Sequence, residues 1–377
     1  MTDQQAGVPM ARPVIGAEEE AAVLEVLRSG HLSLGPRVPE FESRFAAQVG
    51  GAYGSAVSSG TAGLHLALRA VGVTDGDEVV TTPLSFVATA NAAVYERATP
   101  VFADIDPITL NIDPDAAAAA VTSRTTAILP AHIFGYPADI EALSKLERPI
   151  VEDAAQALGA TYPDGQPVGS NGNLAVFAFY ANKQLTTGEG GLVISPDEAT
   201  KSIIDSERNQ GRAPDMDWLD HDRLGFNYRL SDIACAIGIA QLDRLDTMLA
   251  QRTALASDYA VALQPLVDDF GLQLPCADGS GAGGSRGWFV YVVQLPVGGP
   301  NRDDVIRLLK DQGVASKPYL PAIHLMSFYR ERFGLRKGMF PVAESVAERS
   351  LALPFFPEMS AGQVEQVVAA LTAALRS

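Results

Sequence analysis

The chain is poor in several things that would each announce a function class. It has two cysteines in 377 residues, Cys235 and Cys276. Two do not make a disulfide framework, nor a metal site without histidine partners nearby, so no metal is expected. No uninterrupted apolar run approaches the roughly 20 residues of a membrane span. The first residues, MTDQQAGVPMARP, lack the apolar core of a signal peptide. Basic residues are in deficit, with Lys+Arg 28 against Asp+Glu 45 and a net charge of −17. That balance argues against a general binder of nucleic acid or anionic membrane. It does not exclude a phosphorylated small substrate. Exposed charges are screened beyond about 8–10 Å at physiological salt, so a local basic patch still holds an anion. No internal repeat is present. With 47% apolar and 19% charged residues, the composition is that of a folded chain rather than a disordered one. Its length allows one large α/β domain plus a smaller one. The expectation is a soluble, cytoplasmic protein of enzyme size.

Strand and helix signals alternate over the first two thirds. Ile15 to Arg28 has acids early and apolar residues at helical spacing, and Ser29-Gly30 ends it. Further helices are expected over Pro39–Val49, Thr61–Val71, Val87–Tyr95, Ala116–Val121 and Asp139–Leu146. Short strands fall between them at Ala56–Ser58, Glu78–Thr82, Pro100–Ala103, Ala127–Pro130 and Pro149–Glu152. Alternation with strands apolar on both faces predicts an α/β fold, a mostly parallel sheet flanked by helices. The pattern changes between Asn173 and Ser195. There LAVFAFYA and GGLVIS read as two strands joined by a polar, glycine-containing loop. Ser231–Leu249 is a long helix with Ile233, Ala236, Ile237, Ala240 and Leu245 on its apolar side, continuing into Tyr259–Leu266. After the glycine-rich Asp278–Gly287 come a strand (Trp288–Leu295), a helix (Arg302–Gln312) and a closing helix (Val364–Leu375). The expected division is a large domain over residues 1–245, with an N-terminal helical arm, and a smaller α+β domain over 246–377.

Three segments carry candidate chemistry. In YANKQLTTGEGG, Lys183 lies in a loop between two apolar strands, where functional groups are presented, although a lone loop lysine reads equally as solvated. In VEDAAQ, Asp153 follows a strand and so falls near the carboxyl end of a parallel sheet, where open α/β sheets bind ligands. The bland alternative for Asp153 is an N-cap. In SSGTAG, small residues and a hydroxyl stand at a strand-to-helix junction, and a helix N-terminus is an anion site, or simply a capped helix start. Together the three supply what pyridoxal phosphate needs: an amine to bond its aldehyde, an acid to keep the ring nitrogen protonated, and a cradle for the phosphate.

SSGTAGLHLAL, FVATANAA, PVFADIDPITLNIDP, VEDAAQALGA, NKQLTTGEGG and GFNYRLSDIACAIGIAQL resemble the DegT/StrS-type sugar aminotransferases of the fold-type-I pyridoxal phosphate class. The resemblance runs from about Pro13 to the C-terminal helix, through HLSLGPRVPEFE, PAIHLMSFYRERFG, FPVAE and LALPFFP. It implies a large domain with a seven-stranded-type, mostly parallel sheet. Lys183 matches the Schiff-base lysine and proton carrier, Asp153 the pyridine-nitrogen partner, and Gln156 the residue beside the ring hydroxyl. Gly60, Thr61 and Ala62 match the phosphate-binding turn, and Phe86 the aromatic that stacks on the ring. Asn227, in GFNYR, matches a residue that the partner subunit sends to the phosphate, which implies a homodimer. One departure stands out. The family usually has a phosphate-binding serine five residues before the lysine, and here that position is Ala178.

For the substrate, the resemblance implies a keto sugar on a nucleotide diphosphate as amino acceptor and L-glutamate as donor. Two half-reactions with ping-pong kinetics follow. Tyr319 and His324, in KPYLPAIHL, match positions that reach the sugar or nucleotide. Lys317 is a candidate pyrophosphate contact, and Arg229 a carboxylate or phosphate contact or a structural ion pair. The stretches Arg208–Arg229 and KPYLPAIHLMSFYRERFG look most similar to the perosamine-synthase branch, which acts on a 4-keto-6-deoxyhexose. An aminocyclitol aminotransferase of an antibiotic pathway shares every motif quoted and is the alternative. Sugar 3-dehydratases of the family carry histidine in place of the lysine, and Lys183 argues against that activity. Intact Lys183, Asp153 and Gln156, with no added basic segment, argue against a non-catalytic regulator.

Overall fold

The computed structural model describes residues 7–213 and 220–376. Seven of its strands form one sheet: β1 (Tyr53–Val57), β2 (Glu78–Thr81), β3 (Thr99–Phe102), β4 (Thr125–Leu129), β5 (Val151–Asp153), β6 (Leu174–Ala178) and β7 (Gly191–Ser195). The order β3-β2-β4 on one side and β5-β6-β7-β1 on the other is joined by parallel bridges Ile128↔Ile150 and Ala131↔Asp153. Pairing is parallel except at β7, which runs against both β6 and β1. The sheet is therefore mostly parallel, and the carboxyl ends of β1, β5 and β6 lie at one edge.

Alternation along the strands explains why both faces are covered. In β6, Ala175 and Phe177 join one core with Phe41 and Phe45, while Leu174 and Val176 join another with Leu64 and Leu68. Successive strand side chains point to opposite faces, so a strand apolar at every position needs a helical layer on each side. One layer holds α1 (Ala17–Ser29), α2 (Arg37–Gln48) and the start of the long helix; α3 (Gly60–Ala70) and α4 (Val87–Tyr95) are on the other. Phe45 meets Phe177 and Phe179 edge-on, with ring centroids 5.1 Å apart. A Cβ built on Gly63 would stand 2.7 Å from the Val176 side chain, so α3 lies on β6 as closely as glycine permits.

Further along come α5 (Pro114–Ala120), α6 (Ile140–Ser144) and α7 (Glu198–Arg208). The last was not anticipated, although Asp197 caps it by accepting from Thr200 N at 2.8 Å, a readable signal. The long helix expected from Ser231 and continuing into Tyr259–Leu266 is α8 (Asp232–Phe270), 39 residues without a break. Its first half places Cys235, Ile239 and Met248 in the large core, and its second half places Leu255, Tyr259 and Leu263 in another. That second core is closed by β8 (Tyr291–Gln294), α9 (Arg302–Asp311), β10 (Ser350–Leu353) and α12 (Ala361–Arg376), while β9 (Lys317–Pro318) pairs along β10, α10 (Ser327–Phe333) packs on Ala90 and Phe102, and α11 (Pro341–Arg349) packs with Phe289 and Val292. Its sheet is antiparallel in the order β8-β10-β9. The N-terminal arm departs from expectation. Val8 is 2% exposed, bridges Val314 and belongs to this second core rather than to the large one. No helix among the described residues is long and apolar enough to cross a membrane.

Candidate active site

Ser59 ends the turn after β1 and caps α3, its Oγ accepting from Ala62 N at 3.1 Å. The first-turn N–H groups of a helix have no partner within it, and the dipole adds positive potential there. Gly60 sits against β6: a Cβ on it would come within 2.7 Å of the Ala178 Cβ. The sequence SSGTAG therefore brings a helix N-terminus onto the end of β6 with only small atoms between, a cradle suited to a phosphate.

Asp153 ends β5. Its Oδ2 accepts from Thr89 Oγ1 at 2.6 Å and its Oδ1 from Ala155 N at 3.2 Å. Gln156 has its Oε1 occupied by Phe134 N at 3.0 Å, which leaves the amide nitrogen as the free end to donate. The Thr-Thr-Gly part of the Lys183 loop is stapled between β6 and β7. Thr187 N donates to Phe179 O at 3.0 Å, Gly188 N to Thr186 Oγ1 at 2.9 Å, and Phe179 N to Gly190 O at 2.9 Å. Lys183 N closes a turn onto Tyr180 O at 2.9 Å, and the Gln184 side chain donates to Gln156 O at 2.7 Å. Lys183 is thus fixed from both sides.

These residues line one cavity of ≈ 370 Å³, within the size range of small-molecule sites. Its wall includes Ser59, Gly60, Thr61, Phe86, Asp153, Ala155, Gln156, Ala178 and Lys183, and from the C-terminal part of the chain Phe289, Tyr319 and Leu320. Ala62 lies one residue deeper, buried in α3. Burial pushes the Lys183 amine down to about 8, opposed by the charge of Asp153. Its Nζ lies 4.1 Å from the centre of the Phe289 ring. At neutral pH about a tenth of such amines are unprotonated, against less than about a thousandth for an ordinary lysine. An amine so poised condenses with an aldehyde.

Other expected residues are placed differently. His324 does not reach the cavity. It is fully buried in a short turn, with Nε2 2.9 Å from Glu344 Oε1 and its ring edge-on to Phe340 at 4.8 Å. That pair ties the turn to α11, and its Nδ1 is buried without a partner among the described residues. Lys317 is exposed on β9, opposite Ala352, and is not part of the cavity wall. Arg229 donates to Asn209 Oδ1 at 2.8 Å and Gln210 Oε1 at 2.7 Å, amides in place of the expected carboxylate or phosphate. Asn227 is exposed and outside this chain's own cavity, on a strap held to β1 by Ser58 N and Tyr228 O at 2.7 Å. Of the stretch Arg208–Arg229, residues 214–219 lie outside the described residues.

Motif reading missed Thr89, Ser85, Phe289 and Asn182. Asn182 lines the cavity with its Oδ1 buried and without a partner among the described residues, a polar atom left for a ligand. No group of three or more His, Cys, Asp or Glu among the described residues is placed to hold a metal.

A family model, the DegT/DnrJ/EryC1/StrS aminotransferase family, matches residues 13–372. The chain belongs to that family. It is 38% identical over 380 residues to the spore coat polysaccharide biosynthesis protein SpsC of Bacillus subtilis, covering 97% of this chain and 96% of SpsC. Among solved structures it superposes on DesV of S. venezuelae in complex with a ketimine intermediate, with a TM-score of 0.88 and 33% identity over 96% of this chain and 95% of that one. The structure of 3-amino-5-hydroxybenzoic acid (AHBA) synthase gives a TM-score of 0.89 at 28% identity, over 99% and 100% of the two chains. Pyridoxal 5'-phosphate is the cofactor of this DegT/StrS-type aminotransferase fold. The phosphate cradle, the Asp153 carboxylate and the amine of Lys183 within one cavity fit that group.

Proposed function

We propose that the chain transfers an amino group from L-glutamate to a keto sugar carried on a nucleotide diphosphate, a 4-keto-6-deoxyhexose as in the perosamine-synthase branch. The observation that carries this reading is the joint placement of Lys183, Asp153 and the N-terminus of α3 around one cavity. Bound there, pyridoxal phosphate supplies the electron sink for a carbanion at the substrate carbon. The N–H groups at Gly60 and Thr61 would hold its phosphate, with that of Ala62 shared with Ser59 Oγ. Asp153 would serve as partner of the ring nitrogen, Gln156 as donor to the ring hydroxyl, and Phe86 as the aromatic against the ring. Lys183 would hold the cofactor, and its amine would move the proton to and from the substrate carbon in the two half-reactions. Tyr319, at the cavity wall, touches the acceptor sugar, while exposed Lys317 meets the pyrophosphate outside.

Asn227 reaches the phosphate of the partner subunit, so the working enzyme is a cytoplasmic homodimer. Its exposure, and its absence from its own chain's cavity, support that role. We place the domain boundary near residue 245; α8 passes from one core to the other between Met248 and Leu255. The likeness to SpsC, named for polysaccharide biosynthesis, supports a sugar acceptor. The likeness to AHBA synthase, whose named product is carbocyclic, favours the second reading, transfer to a free keto-cyclitol. A panel of keto-sugar nucleotides and keto-cyclitols, each assayed with glutamate for 2-oxoglutarate release and aminated product, decides between them. Turnover with a nucleotide-linked 4-keto sugar alone is the expected result; turnover with the cyclitol alone overturns the first reading.

A further inference from the structure

Two buried hydroxyls adjoin Asp153 without lining the cavity. Thr89 is 0% exposed and Ser85 1% exposed. Thr89 Oγ1 donates to Asp153 Oδ2 at 2.6 Å, and Ser85 Oγ lies 2.8 Å from Thr89 Oγ1. A threonine hydroxyl has one proton to give, and an ionised carboxylate only accepts. The proton of Thr89 therefore goes to Asp153, and Ser85 must donate to Thr89. The chain of donors runs from Ser85 through Thr89 to Asp153.

The same short helix connects this relay to the face of the ring site. Phe86, which lines the cavity, is the N-cap of α4, and Thr89 N donates to Phe86 O at 3.1 Å. Residues three apart share a helix face. The first turn of α4 thus presents an aromatic side chain to the cavity and a hydroxyl to the carboxylate at its end.

We propose that Thr89, backed by Ser85, is the positioning residue that orients Asp153 toward the ring nitrogen. This rests on the reading of Asp153 as partner of that nitrogen. Without the Thr89 donor the Asp153 carboxylate would be free to turn away from the ring nitrogen, and a ring without that charge partner would withdraw electrons less well. Removal of the substrate proton slows, while glutamate binding, which Thr89 does not touch, is unchanged.

The test compares wild-type protein with Thr89→Val, Thr89→Ser and Ser85→Ala, each loaded with pyridoxal phosphate. Two quantities are read: the single-turnover glutamate half-reaction as a function of glutamate concentration, and the pH midpoint of the visible absorbance. Thr89→Val is expected to lower the rate at saturating glutamate about tenfold or more, the loss typical of a hydrogen bond to a charged group. The half-saturating concentration should stay the same, and the pH midpoint should move. Thr89→Ser should restore both. An unchanged rate and midpoint in Thr89→Val, or a loss that serine does not rescue, overturns the relay. Should Thr89→Val fail to fold, Ser85→Ala must shift rate and midpoint in the same direction, and its failure to do so overturns the relay as well. Asp153→Asn that leaves the rate and the pH midpoint unchanged overturns the Asp153 reading itself, and the relay with it.

Discussion

On one side of the cavity, Gly60, Asp153 and Lys183 stand at the ends of sheet strands or in the turns that leave them. On the other, Phe289, Tyr319 and Leu320 come from loops around a small antiparallel sheet. The first side is fixed by the parallel sheet: β1, β5 and β6 end at one edge, and each following turn is tied down by backbone bonds. The second side depends on tertiary packing that no local pattern specifies. A similar contrast holds between adjacent carboxylates of β5. Glu152 is fully buried and saturated by His132 Nε2 at 2.8 Å, Tyr162 OH at 2.6 Å and Asn173 Nδ2 at 2.9 Å. His132 Nδ1 accepts from Ala138 N, so its Nε2 carries the proton. Burial opposes ionisation of Glu152, but these donors outweigh it and hold its carboxyl below the usual range. Asp153, one residue on, borders the cavity with hydrogen-bonding capacity to spare. A structural carboxylate is fully partnered, and a functional one is left partly free.

The sheet side should give the largest effects. Lys183→Ala is expected to lower transamination by about three orders of magnitude or more, since it removes both the cofactor's attachment and the proton carrier. Mixing Lys183→Ala subunits with Asn227→Ala subunits should restore activity, because one of the two sites in each mixed dimer then has both residues. Mixed protein as inactive as its components removes Asn227 from the partner's site.

Lys183 also sets a pH dependence in cofactor-free protein. Its folded pKa of about 8 lies below its unfolded value, so the folded state binds fewer protons between those values. Stability therefore rises with pH from about 8 to about 10.5. Lys183→Met, with no charge to bury, should be more stable than wild type by about 1–3 kcal/mol at pH 7, with the gap closing by about pH 10.5. Urea unfolding at a series of pH values measures it; a pH-independent difference contradicts the burial of a charged amine.

On the loop side, His324→Ala should cost about 1–3 kcal/mol by leaving Glu344 without its buried partner. The kcat/KM of the remaining folded protein should not change. Tyr319→Phe should do the reverse, raising the KM for the acceptor about threefold to tenfold with little loss of stability. Activity lost in His324→Ala at full stability would place that residue back in the substrate site. The smallest effect is expected at the cradle. Ala178→Ser adds a hydroxyl beside Gly60, and retention of the aminated cofactor through gel filtration after turnover with glutamate should improve about twofold. Equal retention would show that the missing hydroxyl is replaced elsewhere.

The sheet side was readable from the chain because its residues sit at pattern boundaries. Lys183 lies between two apolar runs and Asp153 after one, and SSGTAG marks a strand-to-helix turn. The pairing of His324 with Glu344 was not readable because the two are 20 positions apart and burial of a polar pair leaves no periodic trace. Thr89 escaped notice because a threonine in an alanine-rich helix carries no motif, and its meaning depends on Asp153 arriving from 64 residues further on. Val8 crosses to the second core because it pairs with Val314, a contact across nearly the whole chain.

Borohydride reduction of the pyridoxal-phosphate-loaded protein, followed by peptide mass spectrometry, tests the central arrangement most directly. Reduction makes the bond between cofactor and lysine permanent. The peptide containing Lys183 should carry the added mass in wild-type protein, and Lys183→Ala should carry none at any lysine. Label on another lysine, or a loaded wild-type protein with no label, would contradict the arrangement of Lys183, Asp153 and the α3 N-terminus around one ring.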